Sequence, residues 1–195
     1  MSVAVKRVDN LSKIDGDVMA RIEKALLGGG CFWCIEAVYN RVRGVNSAIS
    51  GYAGGLRKNP SYEQVCTGVS GHAEVIEITY DADSISYGEL LDIFWALHDP
   101  TTLNAQGADK GTQYRSVIYY YDEAQKEIAL ESIKSAQAHW SDPIVTELSP
   151  APDFYPAEEY HQNYYNEHPT QGYCYVVIAP KIEKFMTKFS DKVKK

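Results

Sequence analysis

A chain of 195 residues with 45% hydrophobic content is long enough for one domain around a sizeable core. Its formal net charge of -7 argues against nucleic acid or an anionic membrane surface as a partner. No segment approaches the roughly 20 apolar residues of a membrane span, residues 1–24 lack a signal-peptide pattern, and four cysteines are too few for a disulfide scaffold. The chain reads as a cytoplasmic monomer with reduced cysteines.

Residues 1–23 read as a polar lead-in, partly helical around Val18–Lys24, ahead of a single domain over residues 24–195. A strand over Lys24–Leu27 enters the run Gly28-Gly29-Gly30-Cys31-Phe32-Trp33-Cys34. A helix follows to Arg43, ended by Gly44. Val45–Ser50 is a strand running into the loop Gly51–Gly55 and on through Asn59-Pro60. Ala73–Tyr80 alternates apolar and polar residues and predicts a strand. Ser84–His98 predicts an amphipathic helix with Leu90, Leu91, Phe94, Trp95 and Leu97 inward. Asp99–Arg115 is a glycine-punctuated loop, and Ser116–Tyr121 a strand. A long helix starts at Asp122 or Glu123 and reaches Trp140. Ile144–Leu148 is a short strand, Ala157–Glu167 a short helix and Cys174–Ile178 a strand. Pro180 opens a C-terminal helix, a first-turn position that suits proline. Short strands joined without intervening helices favour an α+β domain with a mixed sheet.

The chemistry centres on Cys31. It sits where a strand turns into a helix, on a glycine loop beside Phe32 and Trp33. Unpaired N–H groups of a first helical turn favour thiolate, the nucleophilic form. The two aromatic rings suit an apolar group held next to the sulfur. Cys31-x-x-Cys34 admits a nucleophile with an assisting neighbour, a thioredoxin-like dithiol, half a zinc site, or two buried small residues. No second ligand pair supports zinc. No long core strand precedes the pair as a thioredoxin-like frame requires. Glu74, in Gly71-His72-Ala73-Glu74 at a strand mouth, is placed for desolvation and thus for donating a proton. In the loop Gly107–Ser116, Tyr114 is a candidate oxyanion donor and Asp109 a candidate acceptor for a substrate amide. Tyr62 is a further loop tyrosine, His161 reads as a structural histidine, and Cys66 reads as structural.

These motifs, together with Gly51-Tyr52-Ala53-Gly54-Gly55, Asn59-Pro60-Ser61-Tyr62, Val65-Cys66-Thr67-Gly68, His98-Asp99-Pro100, Gly111–Ser116 and His161-Gln162, are similar to those of the A-class peptide methionine sulfoxide reductases. The resemblance runs from Lys24 to Lys184 in one order. It implies a ferredoxin-like two-layer sandwich with helices on one side of the sheet and additions at both ends. It implies reduction of the S epimer of methionine sulfoxide, free or in peptides, with Cys31 as nucleophile. Phe32 and Trp33 would hold the substrate methyl group, Glu74 would protonate the sulfoxide oxygen, Tyr62 and Tyr114 would donate to it, and Asp109 would anchor the substrate backbone. No cofactor is bound; an external dithiol, thioredoxin by resemblance, restores the enzyme. The chain departs from the family pattern in having Cys34 where many members have glycine, and in having no cysteine after Cys174. Cys174 is favoured as the resolving thiol by its place in the pattern; Cys34 is adjacent to Cys31, but a helical C-x-x-C must close a small ring, so the expectation falls on Cys174.

Overall fold

The first strand, β1 (Ile22–Gly28), already divides the core in two, because successive side chains point to opposite faces. Ala25 and Leu27 join the larger apolar cluster and Leu26 the smaller one on the other face. The computed structural model describes residues 20–194. Most of the predicted lead-in therefore lies outside the described residues. Of the helix expected around Val18–Lys24, Ile22–Lys24 belong instead to β1.

After β1 come α1 (Phe32–Tyr39), β2 (Val45–Ala53), α2 (Tyr62–Cys66), β3 (Ala73–Asp81) and α3 (Tyr87–Leu97). A small ribbon of β4 (Ala105–Gln106) and β5 (Asp109–Lys110) leads to β6 (Val117–Tyr120) and α4 (Glu123–Gln137). The chain ends through β7 (Glu147–Pro150), β8 (Tyr155–Pro156), α5 (Tyr164–Glu167) and α6 (Ala179–Lys188). The six-stranded sheet has the order β7-β6-β1-β3-β2-β8. Its inner four strands are antiparallel neighbours, with α1 joining β1 to β2 and α3 joining β3 to β6. This is the ferredoxin-like β-α-β-β-α-β arrangement. β7 extends it in parallel beside β6, and β8 antiparallel beside β2. The helices cover one face, where Phe32, Ile35, Val38, Leu90, Phe94, Ile182 and Phe185 pack on Leu27, Ile76 and Ile78. The other face holds a small cluster around Leu26, Val75 and Val117, covered by Ala151 and Phe154.

Three segments differ from the sequence-based expectation. Cys174–Ile178 is not a strand but a π-helical turn running directly into α6. Its β-branched residues suggest extension, yet Cys174, Ile178, Ile182 and Phe185 form one buried stripe at helical spacing, and that packing decides. The expected helix over 157–167 is split into a 3-10 turn (Glu159–His161) and α5 by Asn163, whose φ is 53°. The loop after Pro60 contains α2, started by a capping box in which Ser61 and Gln64 satisfy each other's backbone N–H groups. No helix among the described residues is long and apolar enough to cross a membrane.

Candidate active site

The glycine run lets the chain turn against two neighbours. At Gly28 an added Cβ would lie 2.7 Å from the Glu74 carbonyl oxygen across the β1–β3 ladder. Gly30 has φ +90°, and its Cβ would meet the Gln106 side chain at 2.6 Å. Cys31 then occupies the N-cap of α1 without making a side-chain cap bond. The orphan N–H of Phe32 goes instead to Glu74 Oε2 at 3.0 Å. Glu74 is thereby fixed beside the attacking sulfur. It is 1% exposed, and burial lifts its carboxyl to about 8 against the pull of the Phe32 N–H; the charges of Asp109 and Cys34 push the same way as burial. At neutral pH it carries a proton.

Cys31 and Cys34 are both buried and lie within hydrogen-bonding reach of each other. The hydrogen bond from Cys31 draws the Cys34 thiol down to about 7 against burial, helped by the charge of Lys181. Burial and the shared bond push Cys31 well above its ordinary value. Burial therefore works on Cys31 against the thiolate that its place at the start of α1 favours. The shared bond favours the negative charge of the pair on Cys34, at the third position of α1, where the helix N-terminus also favours it. Cys174 is fully buried beside Cys34, whose charge helps burial to raise it. Cys66, read as structural, is exposed at the end of α2, with its thiol by the Tyr62 hydroxyl.

Trp33 forms an apolar wall held on three sides. Its ring stacks on Tyr164 at 3.8 Å and 6°, meets Tyr173 edge-on at 6.1 Å, and its Nε1–H donates to His161 Nδ1 at 3.2 Å. That bond assigns the neutral Nε2–H tautomer to His161, which burial keeps uncharged. His161 also packs on Phe32 at 5.2 Å and Tyr62 at 4.4 Å. Tyr62 starts α2, and its backbone N–H donates to Glu158 Oε1 at 2.9 Å. Tyr114 ends a 3-10 turn (Thr112–Tyr114). Tyr62 faces Glu74 and Tyr114; Tyr114 faces Glu74, Asp109 and Cys31. Burial raises both phenols, so both keep an O–H to donate. Asp109, on β5, accepts from the Tyr173 hydroxyl at 2.7 Å.

The structure thus brings together Cys31, Cys34, Phe32, Trp33, Glu74, Tyr62, Tyr114, Asp109 and Cys174. Tyr173 and Tyr164 were not expected as site residues, and His161 was expected to be structural. A helical reading of residues 157–167 puts His161 and Tyr164 three apart, on one face. Among the described residues no cluster of side chains fits a metal ion. The arrangement is a buried thiol pair, a protonated carboxyl and two phenols around an aromatic wall. It can attack a polarised sulfur atom and protonate the oxygen that sulfur carries.

Comparison with known proteins agrees. The family model described as peptide methionine sulfoxide reductase matches residues 23–193. The peptide methionine sulfoxide reductase MsrA of Polynucleobacter asymbioticus is 53% identical over 181 residues, covering 92% of this chain and 95% of that protein. The crystal structure of Mxr1 from Saccharomyces cerevisiae in reduced form aligns with a TM-score of 0.73 and 37% identity, over 82% of this chain and 92% of that one. Mxr1 in complex with Trx2 aligns at 0.52 and 28% identity, over 75% and 87%. The chain belongs to the A class of the peptide methionine sulfoxide reductase family.

Proposed function

We propose that the chain reduces the S epimer of methionine sulfoxide, free or in peptides, with Cys31 as the attacking sulfur. The substrate methyl group rests against Phe32 and Trp33. As Cys31 attacks, its proton passes to Cys34 across the hydrogen bond they share. Charge develops on the sulfoxide oxygen, a poor leaving group until protonated. Glu74 gives it a proton while Tyr62 and Tyr114 donate hydrogen bonds. Donors that strengthen as charge develops lower the barrier, by about 2.7–4 kcal/mol for each such group. Methionine leaves, and Cys31 becomes a sulfenic acid. Asp109 accepts from the substrate backbone N–H.

Of the two resolving candidates, Cys34 is within hydrogen-bonding reach of Cys31, whereas Cys174 feels the charge of Cys34. We assign Cys34 as the resolving thiol. The resulting disulfide is reopened by an external dithiol, thioredoxin, in keeping with the Mxr1–Trx2 complex of the yeast relative. The four free cysteines suit a reducing compartment, the cytoplasm.

The observation that carries this reading is the buried Glu74 carboxyl, raised to about 8 by burial and bonded to the backbone next to the attacking thiol. The test is consumption of the S and R epimers with dithiothreitol, wild type beside Cys31→Ser. Loss of the S epimer alone, and only with wild type, is expected. Turnover by Cys31→Ser above background overturns the nucleophile assignment.

A further inference from the structure

Tyr173 stands between the thiol pair and Asp109. Its hydroxyl lies 2.7 Å from Asp109 Oδ2 and 4.0 Å from Cys34 Sγ. A phenol has one proton to give. The short contact commits that proton to the carboxylate, so the Tyr173 oxygen faces Cys34 with a lone pair. The ring is held edge-on against Trp33, and the next residue in the chain, Cys174, is buried. Asp109 itself is only half-buried, on a two-residue strand at the rim. A line of hydrogen bonds thus runs from a reacting sulfur to a carboxylate that water can reach.

We propose that Cys34, Tyr173 and Asp109 form a proton relay that activates Cys34 for disulfide formation. The proposal rests on the reading above, in which Cys34 takes the Cys31 proton and then attacks Cys31. Cys34 leaves the first step as a thiol, and a thiol must lose its proton to attack. In the second step the Cys34 proton moves to Tyr173 Oη as the Tyr173 proton moves to Asp109 Oδ2. The Cys34 sulfur bonds to the Cys31 sulfur, and the Cys31 S–O bond breaks. Glu74, which takes a proton back from water once the sulfide product has left, gives it to the departing hydroxide, which leaves as water. The sulfenic sulfur is reduced and the Cys34 sulfur oxidised, so no further oxidant is needed. Asp109 then releases its proton to solvent, and Glu74 regains one. Tyr173 touches a reacting atom and is catalytic in this step; Asp109 acts through it as a positioning residue.

Charge alone would act in the opposite direction. The Asp109 carboxylate holds the Cys34 thiol up, so its removal would by charge favour thiolate and speed the attack. The relay requires that its removal slow the attack. The other groups facing the pair, namely Glu74 from β3, Lys181 from α6 and Cys174, stay in place in the variants.

The experiment is a single turnover with dimethyl sulfoxide, which has no backbone amide for Asp109 to anchor. Dimethyl sulfide release reports the first step, and loss of free thiol the second. In Asp109→Asn and Tyr173→Phe the second step is expected to fall, relative to the first, on the order of 100-fold. Asp109→Glu restores part of it. An unchanged or faster second step in Asp109→Asn overturns the relay. So does a loss seen only with a peptide substrate, which would leave Asp109 an amide anchor alone. Cys34→Ser is run beside them. Wild-type disulfide formation in that variant overturns the Cys34 assignment and the relay together. Its loss there, with Asp109→Asn unaffected, overturns the relay and leaves Cys34 the resolving thiol.

Discussion

At the scale of single residues, the chemistry depends on where protons rest, and pH reports that. Glu74 holds its proton up to about 8, so the first step is expected to slow as pH rises through that value. Glu74→Gln should remove that dependence along with most of the rate, measured as methionine release in a single turnover. The same shift is a stability statement. The folded protein binds the Glu74 proton more tightly than the unfolded chain does. That contribution is fully present below the ordinary carboxyl range and is lost as pH rises through about 8. Urea denaturation between pH 5 and 8 should show wild type losing stability relative to Glu74→Gln, on the order of 1.4 kcal/mol per pH unit. A parallel pair of curves would place Glu74 in contact with water. Much of this site was legible in the sequence, because Cys31, Glu74, Tyr62, Tyr114 and Asp109 each lie in a motif with its own turn chemistry. The charge on Cys34 was not legible. It arises from a neighbouring thiol and from Lys181, which is 147 residues along the chain and is brought close only by α6.

At the scale of elements, the aromatic wall depends on how the segment after β8 is tied down. Tyr164 covers Trp33, and the backbone N–H of Asn163 donates to Glu36 Oε1 at 3.1 Å. Gln162 adds a pair of bonds to the Ser50 backbone, at 3.1 and 2.9 Å. Glu36 is 2% exposed and sits one turn beyond Phe32 and Trp33 on α1. One carboxylate therefore joins the helix that carries the thiols to the segment that clamps the wall. Glu36→Ala takes away the acceptor of the Asn163 N–H, at a cost of about 0.5–1.5 kcal/mol. It is expected to raise KM for methionine sulfoxide more than it lowers the single-turnover rate, with Glu36→Gln milder because it keeps an acceptor. Equal losses in both quantities would mean that the clamp orients the thiols rather than the wall. Strand β3 was legible because its alternation matches the pleat, and β1 because an apolar stretch runs into the glycine turn. The 157–167 segment was not, since only a left-handed Asn163 divides it and local propensity carries no mark of that. Cys174–Ile178 misled for a related reason. Its composition favours extension, whereas the stripe that makes it helical is completed only by Ile182 and Phe185 in the next element.

At the scale of the whole molecule, the far end of the chain closes over the helix that carries the reacting sulfurs. Arg43 N–H donates to the Lys192 carbonyl at 2.7 Å, and Lys194 N–H to the Arg41 carbonyl at 2.8 Å. Val193 bridges to Val42. Lys192 Nζ lies 2.6 Å from Glu89 Oε1 at the start of α3 and, with the Ser86 cap, holds that carboxyl down to about 2. Phe189 stacks 6.0 Å from the buried Phe185. The tail thus fastens the C-terminal end of α1 to α3 and α6, while the opposite end of α1 carries Cys31 and Cys34. Removing residues 189–195 takes away these fastenings and none of the reacting groups. The ion pair contributes only above the ordinary carboxyl range and fades as pH falls toward 2, so its loss should be felt at neutral pH and disappear in acid. The shortened chain is expected to melt several degrees lower at pH 7, as a loss of 1–2 kcal/mol does in a domain of about this size. Amide exchange should speed first at Tyr39–Val42. If exchange there stays as slow as in the full chain, α1 is held by its packing on β2 and β3 alone, and the tail is an appendage to the fold rather than a brace for its site.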